Sequence, residues 1–492
     1  MAGLGAVISH RGRPPTEELS RLLSAMSLRG GSGYGVSDGV ETLLFRDPPE
    51  PGDIPFQKPI LIGCTYKRDI INDLEQPIEA GGFTLAGDGE VYSGEGIEPV
   101  SSTIIHSGIG RNPRPALINL LRDIDGIYAL ILCSRRGLYA LRDPLGVKPL
   151  YYGRGQGFTA LASERKALWT LGIKHPASFP PGSLGRFSKC TAIKRIAYLH
   201  HRKILSRRMD GMVENLASTL RESVEERVRD SPRVAVAFSG GLDSSLIAHL
   251  ARTSGVKVEL YSAMMEDAPE AEKAAEAARI LDLPIHLEVI GVDSLLRDLD
   301  RIMWLIEEPD RMRFEIAAPL YYAAWRAHME GHRIILSGQG SDELFCGYKR
   351  FQSILKEKGW NGVCAAIMDA LKISHKINFE RDEPVTTGIG LTGRYPYTDN
   401  SLIGLGLEIP PQLKIYGGDD DLRKRVLREA ALRLGLPKPL ALKKKKSAQY
   451  GSGVHHAFAE VAKKMDSTPL NLLEASRRRL IEYIGKKWGG RQ

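Results

Sequence analysis

At 492 residues, with 42% hydrophobic and 26% charged side chains, the chain is long enough for two or three globular cores and too ordinary in composition for a disordered or fibrous protein. Its net charge of +9 brings no aromatic-interleaved basic patch and no zinc-finger spacing, so the excess suits an anionic substrate such as a nucleotide and argues against nucleic acid as a partner. Cys64, Cys133, Cys190, Cys346 and Cys364 are scattered, odd in number and free of CxxC spacing, while no charged-then-apolar leader and no apolar run of ~18 residues occurs; the expectation is a cytoplasmic chain with no disulfide framework, Cys/His zinc site or membrane span.

Residues 1 to about 190 read as β-rich. Short apolar runs at 60–64, 83–86, 127–133 and 138–141 are divided by Gly, Pro and Asp turn signals. The polar stretch 200–210 marks the expected boundary, giving domains at 1–190 and 206–492. Beyond it strands and helices alternate. A strand at 233–238 precedes a helix from Asp243, a strand near 256–263 and an Ala/Glu-rich helix at 269–281. A strand at 285–290, helices at 293–306 and 316–330, and a strand at 333–336 follow. Such alternation implies an α/β doubly wound parallel sheet, with ligands at the carboxyl ends of its strands.

The junction after the first of these strands is the most informative segment. Phe238-Ser239-Gly240-Gly241-Leu242-Asp243-Ser244-Ser245 closes an apolar run and opens a helix. Paired glycines let backbone come close to a ligand, and the N–H groups and dipole of the helix start attract phosphate. The serines add hydroxyl donors, and Asp243 is a natural Mg²⁺ ligand. No Gly-Lys-Ser/Thr follows, so the loop is not a Walker motif. It resembles instead the pyrophosphate loop of ATP pyrophosphatases. After the strand at 333–336 comes Ser337-Gly338-Gln339-Gly340-Ser341-Asp342-Glu343, small residues with a second acid, Asp342, placed to share magnesium with Asp243. Ala263, at the end of the second strand, joins Ser337 and Gly338 among the expected nucleotide contacts.

These two loops, with Pro319 and Gly340-Ser341-Asp342-Glu343-Leu344-Phe345-Cys346-Gly347-Tyr348, resemble the synthetase domain of the asparagine synthetase family. Arg394-Tyr395-Pro396-Tyr397-Thr398-Asp399, Lys424-Arg425-Val426-Leu427-Arg428 and Lys446-Ser447-Ala448-Gln449-Tyr450-Gly451 are similar to later motifs of that family, in family order. The amino-terminal half resembles its class II glutaminase, an Ntn-hydrolase-like α+β domain of stacked antiparallel sheets, through 141–151, Ala162-Ser163-Glu164-Arg165 and Phe179-Pro180-Pro181-Gly182. The resemblance implies ATP and Mg²⁺, adenylation of a carboxylate, and Lys446 (or Lys445 in a neighbouring register) stabilising the adenylate. Gln339 and Tyr348 complete the implied catalytic set.

Departures from the pattern are as informative. Family glutaminases expose an N-terminal Cys as nucleophile, whereas Ala2 follows Met1 here. Asp88 stands where an Asn would help form the oxyanion hole, and an ionised carboxylate there opposes the developing charge. Cys64-Thr65 falls where the family has an Arg for the glutamine carboxylate, and Ser102 near the acid for its amine. The domain therefore reads as folded and glutaminase-inactive, with Cys64 as a relocated nucleophile the alternative. In the second half Gln339 replaces a Glu and Glu315 replaces an Arg, which leaves substrate choice open.

The leading expectation is an ATP-dependent, AMP-forming ligase that amidates a carboxylate such as aspartate with ammonia, free or supplied by another protein; a homodimer is compatible with it. A β-lactam-synthetase-like enzyme with an internal amine, and a non-catalytic nucleotide-binding paralogue, are the alternatives. His455-His456, Trp488 and the basic tail carry no decodable role, the tail being read as a solvated face.

Overall fold

The computed structural model describes residues 2–67, 75–93, 96–109, 112–134, 137–188, 191–199, 209–266, 268, 270–444 and 451–488. The chain divides into two compact units, Met1–Tyr198 with Ala475–Gln492, and Leu199–Glu474. The last residues thus group with the first unit, where the sequence reading had left them with the second. Most of the expected boundary stretch, Cys190, and Lys445 to Tyr450 lie outside the described residues.

In the first unit two antiparallel sheets stack. One runs in the order Ala177–Ser178, Tyr151–Gly155, Phe158–Ala162, Ala2–Ser9, Ile60–Tyr66, Gly33–Ser37, Thr42–Phe45. The other runs Thr191–Arg195, Ser183–Phe187, Gly137–Arg142, Asp125–Ser134, Phe83–Ser93, Ile78–Ala80. Period-two alternation sorts the side chains between the faces. Leu4, Ala6 and Ile8 of the first sheet meet Ala86, Ala129 and Ile131 of the second in the shared core. Val7 faces the other way, onto the helix Thr16–Ala25. Helices Val100–His106 and Arg114–Asp123 cover the second sheet through Ile104, Leu117 and Leu120. The result is the expected pair of stacked antiparallel sheets, with helices covering their outer faces.

The second unit has the parallel sheet that strand–helix alternation implies. Its order is Ile285–Ile290, Lys257–Met265, Arg233–Ala237, Ile334–Leu336, Thr392–Arg394, and every pair is parallel. The order in which successive strands are added reverses between Arg233–Ala237 and Ile334–Leu336, the strands themselves remaining parallel. Both chemistry-bearing loops leave from that switch point, where open α/β sheets bind ligands.

Two helix boundaries differ from expectation. The helix read at 293–306 is two, Val292–Arg297 and Leu299–Ile306, joined at Asp298, whose carboxylate accepts from the Tyr322 hydroxyl at 2.9 Å. The helix read from 316 begins at Arg311, because Asp310 caps it by accepting from the Arg313 N–H at 2.8 Å. Pro319 consequently lies inside the helix Arg311–Met329. Ala317, Ala318 and Tyr321 of that helix pack against Ala235, Tyr261 and Ala263 of the sheet, fixing one wall of the site. The three-residue strand Thr392–Arg394 is too short to announce itself by periodicity.

Candidate active site

The glycine pair behaves as its position demands. Gly240 has φ +64, in the region where a Cβ is strained, and a Cβ there would approach the Ala274 Cα at 3.0 Å. Gly241 precedes the helix Leu242–Thr253, with Asp243 in its first turn. The loop is braced from within: the Ser239 N–H donates to Ser244 Oγ at 3.2 Å and the Gly241 N–H to Ser239 Oγ at 3.3 Å. Lys443 Nζ donates to the Gly240 carbonyl at 2.8 Å, bringing a cation to the phosphate loop.

The two acids converge. Lys424 Nζ lies 2.7 Å from Asp243 Oδ1 and 2.6 Å from Asp342 Oδ1, and donates to Ser341 Oγ at 3.0 Å. Ser341 Oγ in turn donates to Asp243 Oδ1 at 2.9 Å. The lysine is 1% exposed, the acids 14% and 21%. A Cβ on Gly347 would run into both Asp342 Oδ1 and Lys424 Cε, so only glycine leaves room for this arrangement. Two carboxylate oxygens aimed at one point already occupied by an ammonium form a donor set that fits Mg²⁺, a hard ion taking one or two carboxylates besides phosphate and water.

A cavity of about 410 Å³ adjoins these groups. Phe238, Ser239, Gly240, Gly241, Leu242, Asp243, Ala263, Ser337 and Gln339 line it, as expected from sequence. Ser244, Ser245, Gly338 and Asp342 do not: Ser244 and Ser245 are buried in the first turn of the helix, and Gly338 packs against Asp243, where a Cβ would lie 3.0 Å from that residue's Cβ. Asp382, Lys273 and Lys443, to which sequence reasoning gave no role, also line the cavity, as do Lys424 and Arg428, which it named only within a resembling motif.

Gln339 Nε2 donates to Asp382 Oδ2 at 2.6 Å, and Arg381 holds the same carboxylate through Nε and Nη2 at 2.5 and 3.0 Å. Tyr348 lies off the cavity lining; its hydroxyl donates to Glu343 Oε1 at 2.5 Å, to which Asn378 Nδ2 also donates at 2.8 Å. Burial and the Glu343 charge raise the Tyr348 phenol well above its ordinary value, so it is held as a neutral donor. Lys446 and Lys445 lie outside the described residues, but Lys443 and Lys444 before them and Gly451 and Ser452 after them all line the cavity. Glu315 is buried and committed to Arg311 at 2.6 Å and to His455 Nδ1 at 2.8 Å, so that histidine is partnered rather than merely solvated. Arg394 and Asp399 turn out to be braces: Arg394 binds Asp230 at 2.6 Å, and Asp399 accepts from the Leu402 N–H at 2.9 Å.

At the amino terminus of the first unit Asp88 is 1% exposed and accepts from the Ala2 N–H at 3.0 Å. Arg29 Nη2 stands 2.6 Å from one of its oxygens and Lys148 Nζ 3.9 Å from the other. Burial alone pushes this carboxyl up, but Lys148 and Arg29 outweigh it and hold it well below the usual carboxylate range. Lys148 is set by the turn before it: Asp143 accepts from the N–H groups of Leu145, Val147 and Lys148, and Arg142 donates to the Lys148 carbonyl. Cys64 is fully buried and its thiol is pushed far up by desolvation, which removes it as a nucleophile.

The sequence profile of the asparagine synthase family matches residues 215–366 and 367–482, and that of a glutamine amidotransferase domain matches 111–170. A putative glutamine-hydrolysing asparagine synthetase of Methanocaldococcus jannaschii is 31% identical over 395 residues, covering 70% of this chain and 72% of the relative. The asparagine synthetase of Asparagus officinalis is 28% identical over 358 residues, covering 68% of this chain, and this chain spans 59% of that relative's length. Among solved structures, the glutamine phosphoribosylpyrophosphate amidotransferase of B. subtilis overlaps 55% of this chain and 68% of its own at a TM-score of 0.34 and 16% identity, too low to carry an argument. No helix among the described residues is long and apolar enough to cross a membrane.

Proposed function

The chain belongs to the asparagine synthase family, and from that premise we propose that it is an ATP-dependent ligase that adenylates a carboxylate, most simply the side chain of aspartate, and transfers the acyl group to ammonia. The convergence of Asp243 and Asp342 on Lys424, beside the Gly240–Gly241 loop, is the observation that carries this reading. The substrate carboxylate attacks the α-phosphorus of ATP and pyrophosphate leaves, held by loop N–H groups, Lys424 and Lys443. Asp243 and Asp342 would hold a magnesium ion, which would supply neutralisation of the pyrophosphate charge. Ammonia then attacks the acyl carbon and AMP departs. Lys446 is assigned to the acyl-adenylate because both flanks of its segment line the cavity.

The amino-terminal domain is assigned no glutaminase activity. Ala2 supplies no nucleophile, and the Asp88 carboxylate fills its corner with a buried ion pair. A substrate with its own amine is the second reading; Asp382, an acid on the cavity wall already engaged by Arg381 and Gln339, is the carboxylate that would meet it.

The test is pyrophosphate release with Mg·ATP and aspartate, comparing ammonium with glutamine, on the native chain and on Asp243→Ala. Turnover with ammonium alone, lost in the variant, supports the assignment. Turnover with glutamine overturns the inactive glutaminase, and ammonium-independent turnover with an amine-bearing acid selects the second reading. ATP binding without pyrophosphate release from any acid refutes a ligase.

A further inference from the structure

A second polar cluster lies at the opposite end of the parallel strands from the phosphate loop. Glu259 and Tyr261 project from the same face of Lys257–Met265, and His286 is the register partner of Tyr261 on the edge strand Ile285–Ile290. Glu330 closes the helix Arg311–Met329, and His332 follows two residues on, just before Ile334–Leu336. Three segments thus deliver two carboxylates, two imidazoles and a phenol to one place.

The separations fall in the range of metal ligands, with His286 turning Nε2 to Glu259 and Nδ1 to Glu330, one of which would ligate a single ion. Glu259 Oε2 is 3.4 Å from His286 Nε2 and 3.3 Å from His332 Nε2, and Glu330 Oε1 is 3.3 Å from His286 Nδ1. Charge-assisted hydrogen bonds run at about 2.7–2.9 Å, as His455 and Glu315 show at 2.8 Å in this same chain. Donors about 2.0–2.1 Å from a tetrahedral ion stand roughly 3.3–3.4 Å from one another. One ligand atom from each of Glu259, His286 and Glu330 falls within 4.8 Å of the others.

Proton counting points the same way. The Tyr261 hydroxyl lies 3.1 Å from Glu259 Oε2 and 3.2 Å from Glu330 Oε2, but it has a single proton to donate. One of those two contacts therefore sets oxygen against oxygen with nothing between them. Lys257 pairs with the far oxygen of Glu259 at 2.6 Å and Arg326 with Oε1 of Glu330, the oxygen that faces His286, at 2.8 Å, yet they are 67% and 50% exposed and their charge is screened. His332 is 3% exposed, turns Nε2 toward Glu259, and its Nδ1 has no hydrogen-bond partner. His286 stacks on Tyr261 with ring centroids 4.7 Å apart and planes 6° apart, which fixes its plane.

We propose that Glu259, His286 and Glu330, with His332 orienting the Glu259 carboxylate, form a binding site for a borderline divalent transition ion of the Zn²⁺ class. Mixed imidazole and carboxylate ligands select such an ion over Mg²⁺ or Ca²⁺. The site ties the edge strand to the strand beside it and to the end of the long helix. It also anchors the hydroxyl of Tyr261, a residue that lines the nucleotide cavity.

The probe is Co²⁺ added to the metal-stripped full-length chain, read by its visible d–d absorption, with Zn²⁺ as competitor. One equivalent is expected to give a tetrahedral band that Zn²⁺ abolishes and that survives Asp342→Asn, which alters only the magnesium pair. Glu330→Gln and His286→Ala are each expected to weaken Co²⁺ binding at least about tenfold. Both residues are only 27% exposed, so the thermal melts of the variants in chelator establish that they fold. No band, or a band indifferent to His286→Ala and Glu330→Gln, overturns the site. So does stabilisation by acid alone, lost in His286→Ala, because a proton on His286 then fills the gap between the acids.

Discussion

Lys424→Ala isolates the central electrostatic claim. The ammonium sits within 2.7 Å of two carboxylate oxygens and is 1% exposed, while its partners retain 14% and 21% exposure. Removing one member of a buried ion pair costs about 3–5 kcal/mol, and the partial hydration of both acids places this case near 3. In a unit of this size each kcal/mol moves the melting temperature by roughly 2–4 °C, so the variant should melt about 6–12 °C lower. Lys424 holds a left-handed backbone, φ +50, which alanine tolerates no better, so the backbone term cancels in the comparison. The decisive readout is differential scanning calorimetry with and without Mg²⁺, in the absence of nucleotide. In the variant the two acids have lost their cation, and Mg²⁺ should recover several degrees. In the native chain Lys424 competes for the same oxygens, and Mg²⁺ should add little. Equal melting of variant and native chain, or an equal response to Mg²⁺, would refute the reasoning that the lysine and the metal share one binding point.

Four further outcomes follow from named residues. Gln339→Glu brings a carboxylate to the place from which Nε2 now donates to Asp382 at 2.6 Å; ATP–pyrophosphate exchange should fall more than tenfold at pH 8 and recover as pH drops and the two acids share a proton. Asp88→Asn leaves Arg29 and Lys148 buried without their anion, and urea unfolding should show a loss of about 3–5 kcal/mol. Because the folded Asp88 carboxyl is depressed, its contribution is full above the unfolded value near 3.9 and fades as pH falls through the folded one, so this acid-induced loss should be absent from the variant. Ala2→Cys in either background should release no glutamate from glutamine. Lys414 is fully buried, donates to the Gly406 carbonyl at 2.6 Å, and burial pushes its pKa down to about 8. The unfolded state then holds the extra proton between pH 8 and about 10.5, so native stability should rise across that window, by up to roughly 3 kcal/mol. Lys414→Met should be the more stable protein at pH 7, with the difference shrinking toward pH 10 in parallel urea titrations.

What was legible in the sequence is what is local. The phosphate loop announces itself within eight residues because strand end, glycine pair and helix start are contiguous in the chain. Asp342 was legible for the same reason, as the first acid after a strand. Lys424 was visible only as part of a resemblance, since nothing in its own neighbourhood says that it meets Asp243, 181 positions away. The Gln339–Asp382 pair spans 43 residues and the Asp88–Arg29 pair 59, and neither spacing is a motif. Glu259, His286 and the stretch Glu330–His332 are distant in sequence and meet only through the sheet and the helix end beside it. Cysteine spacing speaks only to Cys/His motifs and is silent about ligands assembled by a sheet. Periodicity likewise missed the break at Asp298, because apolar residues continue across it and the stop is set by a tyrosine from the next helix.

The segment from Asp420 to Lys443 explains why a lysine and an arginine four positions apart belong together. Arg423 and Lys424 are consecutive non-glycine residues in the left-handed region, both with φ +50, a conformation that persists only where surrounding contacts over-determine it. Arg428 supplies those contacts. Its guanidinium donates to the carbonyls of Leu422, Arg423, Ala441 and Lys443, with separations from 2.6 to 3.1 Å. Burial lowers its pKa to about 10, and it stays charged at neutral pH. A planar fork reaches four carbonyls at once, whereas a lysine ammonium offers three donors from one point and cannot span them. By gripping 422–423 on one side and 441–443 on the other, Arg428 sets Lys424 between the two acids and Lys443 on the Gly240 carbonyl. Both cations of the phosphate site therefore depend on a residue that makes no hydrogen bond to either acid.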